Sequence, residues 1–160
     1  MVDLEITQKE AFRVTGVKTW IGGASDNEAF AAFWHASHEN GTVELIRSHA
    51  RRGESVTTSD MIGLSCTEND PNLREFFFYV CAETDLVEPP AGLEIRQVDS
   101  YLWALFSTEG NDIDALMRCE MYAWKEWLPQ NGEYEHDNGP EMEVYLSENR
   151  IEYWIPVRKL

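Results

Sequence analysis

The chain is short of positive charge. Thirteen Lys and Arg stand against 29 Asp and Glu in 160 residues, a formal net charge of −16. That balance excludes direct nucleic-acid binding, which relies on basic side chains to replace the counterions of the phosphates. It suits solubility and the attraction of cationic partners. Long apolar runs are missing too. No stretch approaches the roughly 18–20 residues of a membrane helix, so no membrane partner is expected. The opening Met1-Val-Asp-Leu-Glu has neither a basic region nor an apolar segment, so it does not read as a secretory leader, and the expected location is cytoplasmic. Cysteine is scarce. Cys66, Cys81 and Cys119 have no CxxC spacing, and an odd count fits reduced thiols. His35 and His38 share a helical spacing with Glu39 close by, but no cysteine or third histidine stands near them. No metal and no cofactor are therefore expected. GxGxxG, P-loop and GxSxG signatures are absent, so no catalytic residue is assigned.

What is present argues for a folded globule. Hydrophobic residues make up 43% and aromatics 12%, and residues 1–160 fit one domain with a real core. Residues 10–19 have strand composition. A loop through Gly22-Gly23 leads to a helix start at Ser25-Asp26, after which Phe30, Phe33, Trp34 and Ser37 recur at helical spacing to about His38. Asn40-Gly41 stops that helix, and 42–60 is polar with room for a short helix. Met61–Thr67 and Arg74–Thr84 read as strands around a turn at 68–72. Beyond the linker at Pro89-Pro90 the order recurs. Leu93–Ser107 holds strand material, 108–111 a turn and cap, and Asp112–Leu128 the longest helix. Pro129 is expected to end it, with Asn131-Gly132 tolerating a left-handed backbone. Strands Glu141–Ser147 and Ile151–Val157 follow around a tight turn at 148–150. The expected fold is α+β. Two strand-helix-strand-strand repeats, about 8–87 and 93–160, form one antiparallel sheet with two main helices. A cleft between such units is where a ligand binds.

Residues 141–146 alternate strictly. Glu141, Glu143 and Tyr145 share one face, with Met142, Val144 and Leu146 on the other. Trp127-Leu128-Pro129, Asn131-Gly132-x-Tyr134-Glu135, Pro140-x-Met142-Glu143-x-Tyr145 and Tyr153-Trp-Ile155-Pro156-Val157 together resemble the GyrI-like ligand-binding domain. This is the effector-binding module of AraC-type and MerR-type multidrug regulators, which also has stand-alone forms. The resemblance is tightest over 101–157. It implies a SOUL/GyrI-like sheet with a central cleft for hydrophobic, often cationic molecules. It also implies that Glu143 is the pocket carboxylate, with Met142 where the family usually has Phe. Glu133 interrupts the family's contiguous Gly-Tyr-Glu.

Glu143 is the leading binding residue, because a carboxylate among aromatics is costly to desolvate unless a cation compensates it. Glu120 lies on the apolar stripe of its helix, either as a satisfied structural acid or as a pocket group. Glu141, nearer the strand end, is expected to be exposed. Tyr145, Trp103, Trp127, Tyr79, Phe77, Trp154 and Tyr153 are candidate pocket walls. The expected function is a stand-alone small-molecule binding protein for hydrophobic, cationic compounds, serving sensing, sequestration or transcription-related roles. It is more a binder than an enzyme. Two alternatives stand beside it: a protein acting on DNA gyrase or a transcription regulator, and a hydrolase of strained-ring compounds using Glu143 with a second acid.

Overall fold

The computed structural model describes residues 1–22, 27–59, 61–67, 75–147 and 149–160. The expected cap at Ser25-Asp26, the turn at 68–72, the strand start at Arg74 and Glu148 lie outside them. The elements are β1 (Asp3–Lys9), β2 (Phe12–Ile21), α1 (Asn27–Glu39), α2 (Thr42–Ser48), β3 (Ile62–Ser65), β4 (Phe76–Thr84), β5 (Glu94–Val98), β6 (Tyr101–Glu109), α3 (Ile113–Met121), a π-helical turn (Tyr122–Trp127), α4 (Leu128–Gln130), β7 (Tyr134–His136), β8 (Glu141–Leu146) and β9 (Arg150–Lys159). The fold is α+β, with one antiparallel sheet in the order β1-β6-β9-β8-β3-β4-β2-β5 and β7 added beside β9.

β2, α1, β3 and β4 answer β6, α3, β8 and β9, and the two sets meet where β3 pairs with β8. Three strands stand outside this repeat: the short β7, which pairs with β9 in its own half, and β1 and β5. β1 pairs with β6, and β5 pairs with β2, so each set gives a strand to the other. β1 escapes a reading of the sequence because it is an edge strand, mostly exposed along its length and weakly apolar. Glu10-Ala11 joins β1 to β2 and Asp99-Ser100 joins β5 to β6, yet each pair lies at opposite ends of the strand order. Links that short require the sheet to curl until its ends come together. Phe12, Val14 and Val98 accordingly share a core with Trp103, Leu105 and Trp154 on the sheet's inner face.

The helices cover the other face in two groups. Phe30, Phe33 and Trp34 of α1 pack with Val43 and Ile46 of α2 over Phe76, Phe78 and Val80 of β4. Leu116 and Cys119 of α3 pack over Phe106, Ile151, Tyr153 and Ile155. Gly41 follows α1 at φ 81, a left-handed conformation that stops the helix with no Cβ to clash. Asp112 caps α3, its Oδ1 accepting from the Ala115 amide at 2.9 Å.

The end of the second helix departs from expectation. Pro129 does not terminate it but sits inside α4, and the Asn131 amide still donates to the Trp127 carbonyl at 2.9 Å. The preceding turn is π-helical, the Leu128 amide reaching the Ala123 carbonyl, and this wider spacing accommodates the proline ring. Asn131 is extended, at φ −73 and ψ 146. It closes the helix with its side chain, donating to the carbonyls of Trp127 and Leu128 and accepting from the amides of Glu133 and Tyr134. The described residues contain no helix long and apolar enough to cross a membrane. Cys66, Cys81 and Cys119 are all free thiols.

Candidate functional site

Between the two helix groups the sheet is uncovered, and a cavity of about 200 Å³ opens there. Phe30, Ala31 and Trp34 of α1 form one wall. Ile113, Leu116, Met117 and Glu120 of α3 form the other, and Ser65, Glu141, Met142, Glu143, Tyr145 and Tyr153 make the floor. The strand period builds that floor. β8 turns Glu141, Glu143 and Tyr145 toward the helices, while Met142 and Val144 enter the inner core. The register pairs Glu143 with Tyr153 on β9 and with Gly63 on β3.

Glu143 lies across β3. A Cβ on Gly63 would fall 2.4 Å from both Cγ and Oε1 of Glu143, so only glycine leaves room for the acid in this pose. Oε1 accepts from the Trp34 indole N–H at 2.7 Å and from the Tyr145 hydroxyl at 2.9 Å. Trp34 also meets the Tyr145 ring edge-on at 5.4 Å. Burial raises the Glu143 carboxyl above its ordinary range, and the two hydrogen bonds pull it part of the way back. Among the described residues no Lys, Arg or His forms an ion pair with it. Burial and the neighbouring Glu143 charge push the Tyr145 phenol far above its usual value, so it remains a donor.

A second hydrogen-bonded chain runs beside the first. Trp124 in the π-helical turn donates to the Tyr153 hydroxyl at 2.7 Å, and Tyr153 donates to Glu141 Oε1 at 2.5 Å. The Thr67 hydroxyl lies 3.3 Å from Oε2. Glu141, expected to be exposed, is only 3% accessible. Its place near the strand end is roofed by Tyr153 and Thr67. Glu120 borders the same cavity, and its charge is felt by both Tyr145 and Tyr153.

Of the nine residues expected to bind ligand or wall the pocket, Glu143, Tyr145, Tyr153 and Glu120 come together here. The other five do not. Trp103 and Trp154 are fully buried in the inner core with Tyr79. Phe77, on that inner side, is 41% exposed and packs edge-on against Trp20 at 5.0 Å. Trp127 faces the helix side but packs on Phe106 at 5.5 Å, behind the cavity. Strand parity decides these outcomes. Tyr153 faces the cavity because it pairs with Glu143, and Trp154, one residue on, must face away with Met142. Trp34 and Phe30, not among the expected binding residues, also line the cavity, and their spacing of four places them on one helix face. That stripe is the signal that points to them. Among the described residues no group of three or more His, Cys, Asp or Glu is arranged to hold a metal. The exposed His35–Glu39 pair, at 3.1 Å, stands alone with respect to metal ligation.

The model of the family Cass2, integron-associated effector binding protein, matches residues 5–157. The chain belongs to this family. As a Cass2 member it is an effector-binding protein, in keeping with the resemblance to the GyrI-like domain. No curated protein matches it in sequence. Its fold is similar to that of SAV2435, solved bound to tetraphenylphosphonium, with TM-score 0.81, 16% identity, and coverage of 98% of this chain and 94% of that one. An integron cassette protein from the mobile metagenome of Vibrio cholerae gives 0.66 at 19% identity, over 97% and 95% of the two chains. The C-terminal domain of EcmrR gives 0.66 at 14% identity, over 100% and 99%. At such identities the likeness establishes the fold.

Proposed function

We propose that this Cass2 member binds a hydrophobic organic cation in the cavity between α1 and α3, with Glu143 as the counter-charge and Trp34, Tyr145 and Tyr153 as aromatic surfaces. The observation that carries the reading is the state of Glu143. Its carboxylate is part-buried on the cavity floor and held by two neutral donors, which orient it without neutralising it. A cation entering the cavity compensates that charge, and aromatic faces attract it further. The tetraphenylphosphonium held by SAV2435 supports the same ligand class. The likeness to the EcmrR domain supports an effector-sensing role linked to a transcription regulator. Titration with tetraphenylphosphonium, followed calorimetrically, tests the proposal. Glu143→Gln should weaken binding by about 2–3 kcal/mol, on the order of 100-fold. Unchanged affinity in that variant removes the carboxylate from the account.

A second reading, hydrolysis of strained-ring compounds, has one observation behind it. Glu120 and Glu141 border the same cavity as Glu143, as acid–base activation of a water requires. Turnover of such a compound, abolished in both Glu143→Gln and Glu120→Gln, is its test. The gyrase reading has no structural observation behind it.

A further inference from the structure

The way Glu143 is held bears on which cations it accepts, given that the site binds cations at all. An ionised carboxylate takes a guanidinium or amidinium in a fork, one N–H to each oxygen. Here one of the two oxygens is already occupied. The Trp34 indole N–H and the Tyr145 hydroxyl both end on Oε1, at 2.7 and 2.9 Å, so that one oxygen already accepts two donors. The same oxygen lies over Gly63, so close that a Cβ there would stand 2.4 Å from it, and the β3 backbone closes that approach. Only Oε2 remains for a ligand.

We infer that Trp34 is a specificity-determining residue: by occupying Oε1 together with Tyr145 it prevents forked recognition, so the site favours onium cations over amidinium and guanidinium cations of equal size and charge. A quaternary onium ion has no N–H to satisfy and needs only charge and aromatic surface, both of which the cavity offers. An amidinium entering the same cavity meets Glu143 through one N–H only, and its second N–H loses the partner that the fork supplies. Trp34 comes from α1 and Glu143 from β8, so the half of the chain that lacks the acid decides what the acid accepts.

Benzyltrimethylammonium and benzamidinium, two aromatic monocations of similar size, test this by NMR titration of the full chain. The wild-type protein should bind the ammonium about tenfold more tightly, the cost of one unmet hydrogen bond. Trp34→Phe keeps a ring and frees a lone pair of Oε1, and it should narrow the ratio by about tenfold, mainly through tighter amidinium binding. Tyr145→Phe frees the same oxygen and should shift the ratio in the same direction, so the inference does not hang on one variant's folding. A ratio that stays the same in both variants, or equal wild-type affinities, overturns the role of Trp34 while leaving cation binding intact. If neither cation binds the wild type, or if Glu143→Gln leaves both affinities unchanged, the cation reading falls and the inference falls with it.

Discussion

β3 and β8 lie side by side at the centre of the sheet, in corresponding places in the two halves of the chain, and they are equipped in opposite ways. β8 turns Glu141, Glu143 and Tyr145 toward the cavity. β3 answers with Gly63 and Ser65, paired directly with Glu143 and Glu141. One strand supplies the acids, and the other supplies the room they occupy. The helices divide the work in another way. Each half sends one indole N–H to the floor, Trp34 directly to Glu143 and Trp124 through Tyr153 to Glu141. Two similar frames thus give one site whose charge comes from one half and whose shape comes from both.

The comparison is broken most severely at Gly63. Gly63→Ala places a methyl where the Glu143 side chain lies and forces it off the sheet. Overpacking of this kind costs about 1–3 kcal/mol of stability, read by denaturant unfolding. Tetraphenylphosphonium affinity should drop about tenfold or more as Oε1 leaves its two donors. Ser65→Ala, one residue pair away, should leave both measurements nearly unchanged. If the glycine variant binds as well as wild type, the pose of Glu143 does not matter to the ligand.

The next effect depends on pH. Burial raises the Glu143 carboxyl in the folded protein. A raised folded-state value means that the stabilising form is the protonated one. Its contribution is complete below the unfolded value and is lost as pH rises through the folded one. Glu143→Gln should therefore match wild type in acid and be the more stable protein near neutrality, in thermal melts across that range. Cation affinity should run the opposite way, rising as Glu143 ionises and then levelling off. A binding curve flat in pH through the carboxylate range contradicts this.

The smallest effect is expected on the other chain of donors. Trp124→Phe removes the hydrogen bond to Tyr153, worth about 1 kcal/mol of stability. It should leave tetraphenylphosphonium affinity within about twofold, because Glu143 keeps both of its donors. A large loss of affinity would show that the two chains act as one network.

Much of this architecture was legible in the residues. The alternation of β8, the apolar run of β4 and the apolar stripe of the second helix each follow from a side-chain period. So did the pairing of two halves around a cleft. What escaped depends on long-range register, which no local period fixes. Trp103 and Trp154 are rigid aromatics suited to a ligand wall, and they became core because their strand parity points them inward. Glu141 looked exposed from its place near the strand end, but Tyr153, paired two residues along the neighbouring strand, covers it. The π-helical turn was hidden for a different reason. A proline with helix on both sides reads as a stop, unless the turn before it is widened.

The exchange of β1 and β5 between the two halves sets a limit on how the cavity works. Each half is stitched into the other by a full strand of hydrogen bonds, so the strands beneath the two walls are held as one sheet. Opening the cleft as two rigid bodies would require β1 to leave β6, or β5 to leave β2. The protein should not survive being cut into its two halves, because each fragment would expose the unpaired edge its missing partner covers.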